Sequence, residues 1–384
     1  MGDGTDNSYN SLPVLGTDFG TNGTFTNQST IEGTGEIGFA VQGVINQGTI
    51  LANVPVGNSG LVLKICCEGS SGIVNSGTIE ASNAGMVQVN ASNSFNNTGT
   101  LTVATKSTID VNNPFLNLSN STLTGGTYNV TGTLQIPGNI TTNDARITLN
   151  GKASQILNPN TTALAGFVTN ASKGSFDLKA GQSFTSAGTF TNQGAITIGK
   201  GSTFTVGSGG SYLQTEGKTT VNGKLTLSNS EGRTEEPASD SDPGAGGIRI
   251  IKGSLLGNGG NIAAHVSSSG TVIPADSITS VGKLGITGAY TQTSKGALDA
   301  NITGADSGQF NVLNVSGTAT LGGTLNIKLL NNFVPLIGAT FEILSARHVN
   351  GTFATVNGTT INSSEHFTVT YNSDNVTLTV VSGG

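Results

Sequence analysis

Short runs in which apolar side chains recur at every second position are spread along the whole chain, as in Thr100-Leu101-Thr102-Val103 and Thr203-Phe204-Thr205-Val206. That spacing puts the apolar side chains on one face of a strand. Between such runs a phrase repeats. Gly23-Thr24-Phe25-Thr26-Asn27-Gln28-Ser29-Thr30-Ile31 returns as Val44-Ile45-Asn46-Gln47-Gly48-Thr49-Ile50 and as Ile73-Val74-Asn75-Ser76-Gly77-Thr78-Ile79. It returns again as Phe95-Asn96-Asn97-Thr98-Gly99-Thr100-Leu101 and as Gly188-Thr189-Phe190-Thr191-Asn192-Gln193-Gly194-Ala195-Ile196. Each copy ends one short strand, bends at an Asn-Gly type turn and starts the next.

Counted from Asn27 to Asn46, Asn75 and Asn96, the intervals are 19, 29 and 21 residues. Repeats on this scale are stacked coils. The predicted fold is all-β, a right-handed parallel β-helix (β-solenoid) with irregular coil length. Its apolar face points inward, Thr, Ser and Asn cover the outside, and the turn residues stack in register. At about 4.8 Å per coil it would form a rod on the order of 90 Å long. A β-sandwich array or a propeller needs longer strands with hairpin signals and usually aromatic signatures, and aromatics are 5% here.

Composition agrees. Gly is 57 residues, Trp is absent and charged residues are 10%, a mixture poor in helix formers. Hydrophobic residues at 35%, regularly placed, separate the chain from disordered sequences. A net charge of -6 and scattered Lys and Arg argue against nucleic acid or an anionic membrane as partner. No apolar stretch is long enough for a membrane-spanning helix. Cys66 and Cys67 are adjacent, which excludes a conventional disulfide framework. They are expected either as two small buried core residues or as a crosslink between chains. The start, Met1 to Asn7, has no secretory signal, so the expectation is a trimmed or partial chain.

The chain reads as three stretches: 1–230, a repetitive β-solenoid; 231–247, an acidic exposed loop; and 248–384, C-terminal β-helix rungs. The loop carries Glu231, Glu235, Glu236, Asp240 and Asp242, whose spacing matches no calcium loop. In the last stretch, Leu255-Leu256-Gly257-Asn258-Gly259-Gly260-Asn261-Ile262, Ser269-Gly270-Thr271-Val272-Ile273-Pro274 and Gly282-Lys283-Leu284-Gly285-Ile286 lead into Leu321-Gly322-Gly323-Thr324-Leu325 and Gly338-Ala339-Thr340-Phe341-Glu342-Ile343-Leu344. This spaced pattern of Gly and aliphatic residues, over about residues 253–381, resembles the C-terminal part of bacterial autotransporter passenger domains. The resemblance implies a secreted β-helix whose last rungs seed folding and lead toward an outer-membrane barrel. Two departures stand out: Pro274 is followed by Ala275-Asp276-Ser277 where the family has Pro-Gly before Ser, and no barrel series follows before Gly384.

Candidate chemistry is sparse. β-Helix enzymes that cleave polysaccharides gather carboxylates with Lys or Arg in an outer groove, and the pairs that could contribute are Lys106 with Asp110, Asp144 with Arg146, and Asp177 with Lys179. Solvated surface charges explain them equally. His348 and His366, 18 residues apart, lack a third metal ligand. No serine-hydrolase elbow or phosphate loop is present. Glycosylation-type sequons at Asn90, Asn117, Asn129 and Asn314 arise by chance in such a composition. The Thr pairs Thr24 with Thr26 and Thr189 with Thr191 do not recur at every coil, as an ice-binding face would require.

The expected function is therefore an extracellular or cell-surface structural and adhesive β-solenoid without catalytic, metal or cofactor residues, located on the bacterial surface or secreted. Its expected partners are host or surface glycans or matrix, or other copies of itself. The alternatives are a subunit of a filament or sheath built by head-to-tail strand pairing, and a polysaccharide-acting β-helix enzyme.

Overall fold

The computed structural model describes the backbone of residues 14–16 and, in full, residues 23–57, 61–67, 69–112, 114–159, 161–228 and 246–383. Nearly all of the predicted acidic loop, with its five carboxylates, lies outside the described residues. Every regular element among the described residues is a strand. Almost every strand pairs in parallel with the one three places later in the chain, the pattern of a three-sided β-helix. No helix among these residues is long and apolar enough to cross a membrane. The chain forms two compact units, residues 1–139 with 153–163, and residues 140–152 with 164–384.

In the first unit one side is built from Thr24–Asn27, Gly43–Asn46, Gly72–Asn75 and Phe95–Asn97. The second follows after a tight corner, with Thr30–Glu32, Thr49–Ala52, Thr78–Ala81 and Thr100–Val103. The third holds Gly35–Phe39, Leu63–Cys67, Met86–Ala91 and Thr108–Val111. The repeated phrase is thus one corner with the strands on either side of it. Alternation sends every second side chain inward, and parallel register stacks like on like: Leu63, Val87, Ile109, Leu134 and Ile156 form one buried column.

The second unit repeats this plan. Its coils on either side of residues 229–245 are continuous, since Tyr212–Gln214 pairs with Ile248–Ile250 and Lys218–Val221 with Ser254–Leu256. Phe167, Phe176, Phe184, Phe190 and Phe204 fill its early coils through mostly edge-to-face contacts, and Tyr212 stacks on Phe190 at 5.8 Å. At its far end the parallel order stops. Asn375–Ser382 pairs antiparallel with Thr340–Ser345, and Glu365–Tyr371 with Asn375–Ser382, so a hairpin closes the third sheet.

Two residue types make the corners possible. The first is the Gly of the phrase. A Cβ added to Gly77 would lie 2.1 Å from the carbonyl oxygen of Gly48 in the preceding coil, and one on Gly99 would lie 2.1 Å from that of Gly77. Glycine is required there because the backbones of successive coils touch, not for its dihedral freedom.

The second is the Asn. Asn27 Nδ2 donates to Asn46 Oδ1, Asn46 Nδ2 to Asn75 Oδ1, and Asn75 Nδ2 to Asn97 Oδ1, each at 2.7 Å. The same Nδ2 groups donate to the backbone carbonyls of Thr49, Thr78 and Thr100, so each ladder Asn also ties its corner to the first residue of a strand in the next coil. The ladder corrects the register read from the sequence: Asn97, not Asn96, follows Asn75, and the interval is 22 residues. Asn96 faces outward opposite Val74, because a slip of one residue turns a side chain to the other face. The chain completes this coil through Thr100–Val103 and Thr108–Val111, and where the next strand of the first side would follow it turns instead into the antiparallel pair Leu118–Ser119 and Thr122–Val130. There the side chain of Asn117 stands in for a missing strand: its Oδ1 accepts from the Asn97 backbone N–H and its Nδ2 donates to the Asn97 carbonyl. The second unit builds its own ladder from Asn143, Asn170 and Asn192.

Cys66 and Cys67 point to opposite faces of their strand, and neither is in a disulfide. Cys67 is in the core, where burial pushes its thiol pKa up. Cys66 is half-buried on the outer face, and its thiol donates to the Glu36 carboxylate at 2.7 Å. The expectation of two core residues therefore holds for Cys67 alone.

Burial also raises the pKa of the Tyr128, Tyr212 and Tyr290 hydroxyls far above the ordinary value. Raising the folded pKa leaves stability unchanged below the unfolded value of about 10 and removes it progressively above, because the unfolded chain then ionises first. Alkaline titration should show these tyrosines ionising only together with loss of far-ultraviolet strand signal; smooth ionisation with the fold intact would contradict this packing.

Candidate functional site

The charged pairs read from the sequence do not assemble one centre. Lys106 sits in a turn at positive φ and Asp110 on the outer face of Thr108–Val111, between Gln88 and Gln135 of the adjacent coils. Partial burial raises the Asp110 pKa, and a hydrogen bond from Asn112 opposes the rise. Asp177 and Lys179 form a surface ion pair at 3.6 Å on one strand, an arrangement worth little to stability. Asp144 and Arg146 both lie on Thr142–Asn150, and Asp144 Oδ1 accepts the backbone N–H of Lys173 at 3.1 Å. Asp177 pairs in register with Thr148, four residues along the strand from Asp144. That is roughly 13 Å, wider than the carboxylate spacing of either glycosidase mechanism.

His348 lies on His348–Gly351 and His366 on Glu365–Tyr371, in different sheets. No group of three potential metal ligands occurs among the described residues. Asn90 and Asn314 accept side-chain hydrogen bonds from Asn112 and Ser345, while Asn117 is buried.

One buried carboxylate had no signal in the sequence. Asp299 accepts from Lys328 Nζ and from Asn326 Nδ2, and Asn357 donates on to Asn326. This column joins the outer faces of three successive strands, Ala297–Ile302, Thr324–Leu329 and Thr355–Asn357. It is a structural clasp in the last coils.

Arg146 belongs to a different grouping. In the second unit the outward position at the start of one side runs Arg146, Ser175, Ala195, Lys218 over four successive coils. Two long cationic side chains thus frame two short ones. The adjoining corners contribute Ser172, Lys173, Gly174, Gln193, Gly194 and Gly217, and together these residues line an open groove of about 430 Å³. Its floor is flat because the corners need glycine: a Cβ on Gly194 would lie 2.2 Å from the Gly174 carbonyl oxygen, and one on Gly217 1.9 Å from that of Gly194.

Arg146, Lys173 and Lys218 are exposed. The ion pairs among the described residues are Lys179 with Asp177, Lys252 with Glu216 and Lys328 with Asp299, and none includes a groove cation. Of the carboxylates next to the groove, Asp144 is held by the Lys173 N–H and Glu216 by Lys252 at 3.3 Å. The arrangement presents a local positive field on a chain of net charge -6.

Sequence reasoning found Arg146 but missed Lys173, Lys218 and Gln193. Register was the missing signal. Once Asn143, Asn170, Asn192 and Gln214 are aligned at the ladder position, the groove residues fall just beyond each of them.

No protein-family model matches this chain, and no curated protein matches it.

Proposed function

We propose that this chain is an extracellular or cell-surface β-solenoid with an adhesive, non-catalytic role. The observation that carries the reading is the groove: an electropositive trough on a rigid stack of coils, lined by hydroxyl, amide and cationic groups and by no carboxylate. A backbone held in register by continuous pairing is pre-organised, so a ligand meets it with little ordering cost beyond that of the long side chains it engages. The spread of Asp110, Asp144 and Asp177 over separate positions supports binding over polysaccharide cleavage. The resemblance of residues 253–381 to autotransporter passengers supports a place outside the cell.

The filament alternative rests on open strand edges. In the second unit the hairpin of Glu365–Tyr371 and Asn375–Ser382 covers Thr340–Ser345, and the Val349 N–H donates to the Ser373 carbonyl at its turn. Antiparallel closure of this kind is one way in which edges are protected from pairing with other chains.

The test is to immobilise the purified chain and present a panel of glycans and matrix proteins while assaying for released reducing ends. Saturable binding to a glycan or matrix partner without cleavage is the expected outcome. No binding to any of them would overturn the adhesive role, and released reducing ends would make the protein an enzyme. Particle mass that grows with concentration in sedimentation would favour the filament.

A further inference from the structure

We infer that the groove framed by Arg146 and Lys218 binds an acidic oligosaccharide, one bearing carboxylate or sulfate groups on successive sugar rings. This rests on the adhesive reading and names its ligand class.

The geometry selects a linear ligand. Arg146 and Lys218 lie three coils apart, about 14 Å at the spacing of paired strands. One compact anion would have to draw both long side chains inward over the short ones. An extended chain with anionic groups on separate rings can meet Arg146 at one end, Lys218 at the other and Lys173 along the corner. Between the ends, Ser175 and Ala195 and the backbone at Gly174, Gly194 and Gly217 leave room for sugar rings to lie close. Ser172, Ser175 and Gln193 supply donors and acceptors suited to sugar hydroxyls. Guanidinium and ammonium groups without carboxylate partners form the stronger, charge-assisted hydrogen bonds with carboxylate or sulfate.

The groove does not suit the other common linear polyanion. No aromatic side chain lines it, whereas single-stranded nucleic acid binding depends on aromatic platforms for its bases. The chain's net charge of -6 opposes the long phosphate tracks that duplex binding needs.

Isothermal titration of the full chain with short oligogalacturonate and with a sulfated oligosaccharide tests the inference. The controls are a neutral oligosaccharide of equal length, inorganic sulfate and a single-stranded oligonucleotide. At least one acidic oligosaccharide should bind, more weakly as salt rises, and the neutral one should not. Arg146→Gln, Lys173→Gln and Lys218→Gln should each weaken binding about tenfold. Lys179→Gln, whose cation is paired with Asp177 outside the groove, should leave it unchanged. All three groove side chains are exposed, so thermal unfolding of the variants should match that of the parent.

Undiminished acidic-glycan binding in the triple variant would overturn the inference. So would inorganic sulfate binding as tightly as the oligosaccharide, or the oligonucleotide binding more tightly than either. A triple variant that keeps the adhesion of the parent on the glycan and matrix panel would remove the groove and leave the adhesive role standing. Adhesion lost together with acidic-glycan binding would support both.

Discussion

Gly77→Ala is expected to destabilise the first unit by about 3 kcal/mol or more, the size of a severe overpacking error. The added Cβ would meet the Gly48 carbonyl oxygen at 2.1 Å and the Gln47 carbonyl carbon at 2.7 Å, both backbone atoms that no rotamer change can move aside. Gly48 is itself packed against Ser29, and Gly99 against Gly77, so a displaced coil transmits its shift to both neighbours. Gly188→Ala is the contrasting control. A Cβ there meets nothing within 4 Å and the backbone is not left-handed, so the substitution should be neutral or stabilise by up to about 1 kcal/mol through the unfolded chain. Denaturant midpoints of the two variants decide the matter. Equal effects would mean that coil contact is not the reason for glycine in the repeated phrase.

Asn75→Asp should cost more than Asn75→Ala at neutral pH, although aspartate is the closer match in shape. Asn75 is fully buried and uses its amide in both directions, accepting from Asn46 and donating to Asn97 Oδ1 and to the Thr100 carbonyl. Alanine leaves those partners short of bonds, a loss of about 2–4 kcal/mol. An aspartate keeps the acceptor but turns an ionised oxygen toward two other acceptors in a buried site. Its folded pKa must therefore lie above the unfolded value of about 3.9. The sign follows: below that value the protonated acid donates as the amide did and stability is near its best, and above it stability falls as pH rises. Unfolding midpoints of Asn75→Asp should rise as pH is lowered from neutral toward 4, while those of Asn75→Ala follow the parent. A flat profile for the aspartate variant would show that the ladder tolerates charge.

Much of this was written in the chain. The Asn-x-Gly-Thr phrase and the alternation around it determine a stack of short strands, because only a coil that returns to the same corner lets Asn bond to Asn and brings Gly against the backbone of its neighbour. Irregular coil length was legible too, since successive ladder residues lie 19, 29 and 22 positions apart.

What the tertiary structure decided is which residues stand side by side. With coil length varying, sequence distance does not convert into register. The choice between Asn96 and Asn97, the separation of Asp144 from Asp177, and the meeting of Arg146 with Lys173 and Lys218 were all settled by where each corner was longer or shorter. In a stack where one residue of slip turns a side chain from core to solvent, local pattern is enough to specify the coil, and only the pairing of every coil with the next can place a groove on its surface.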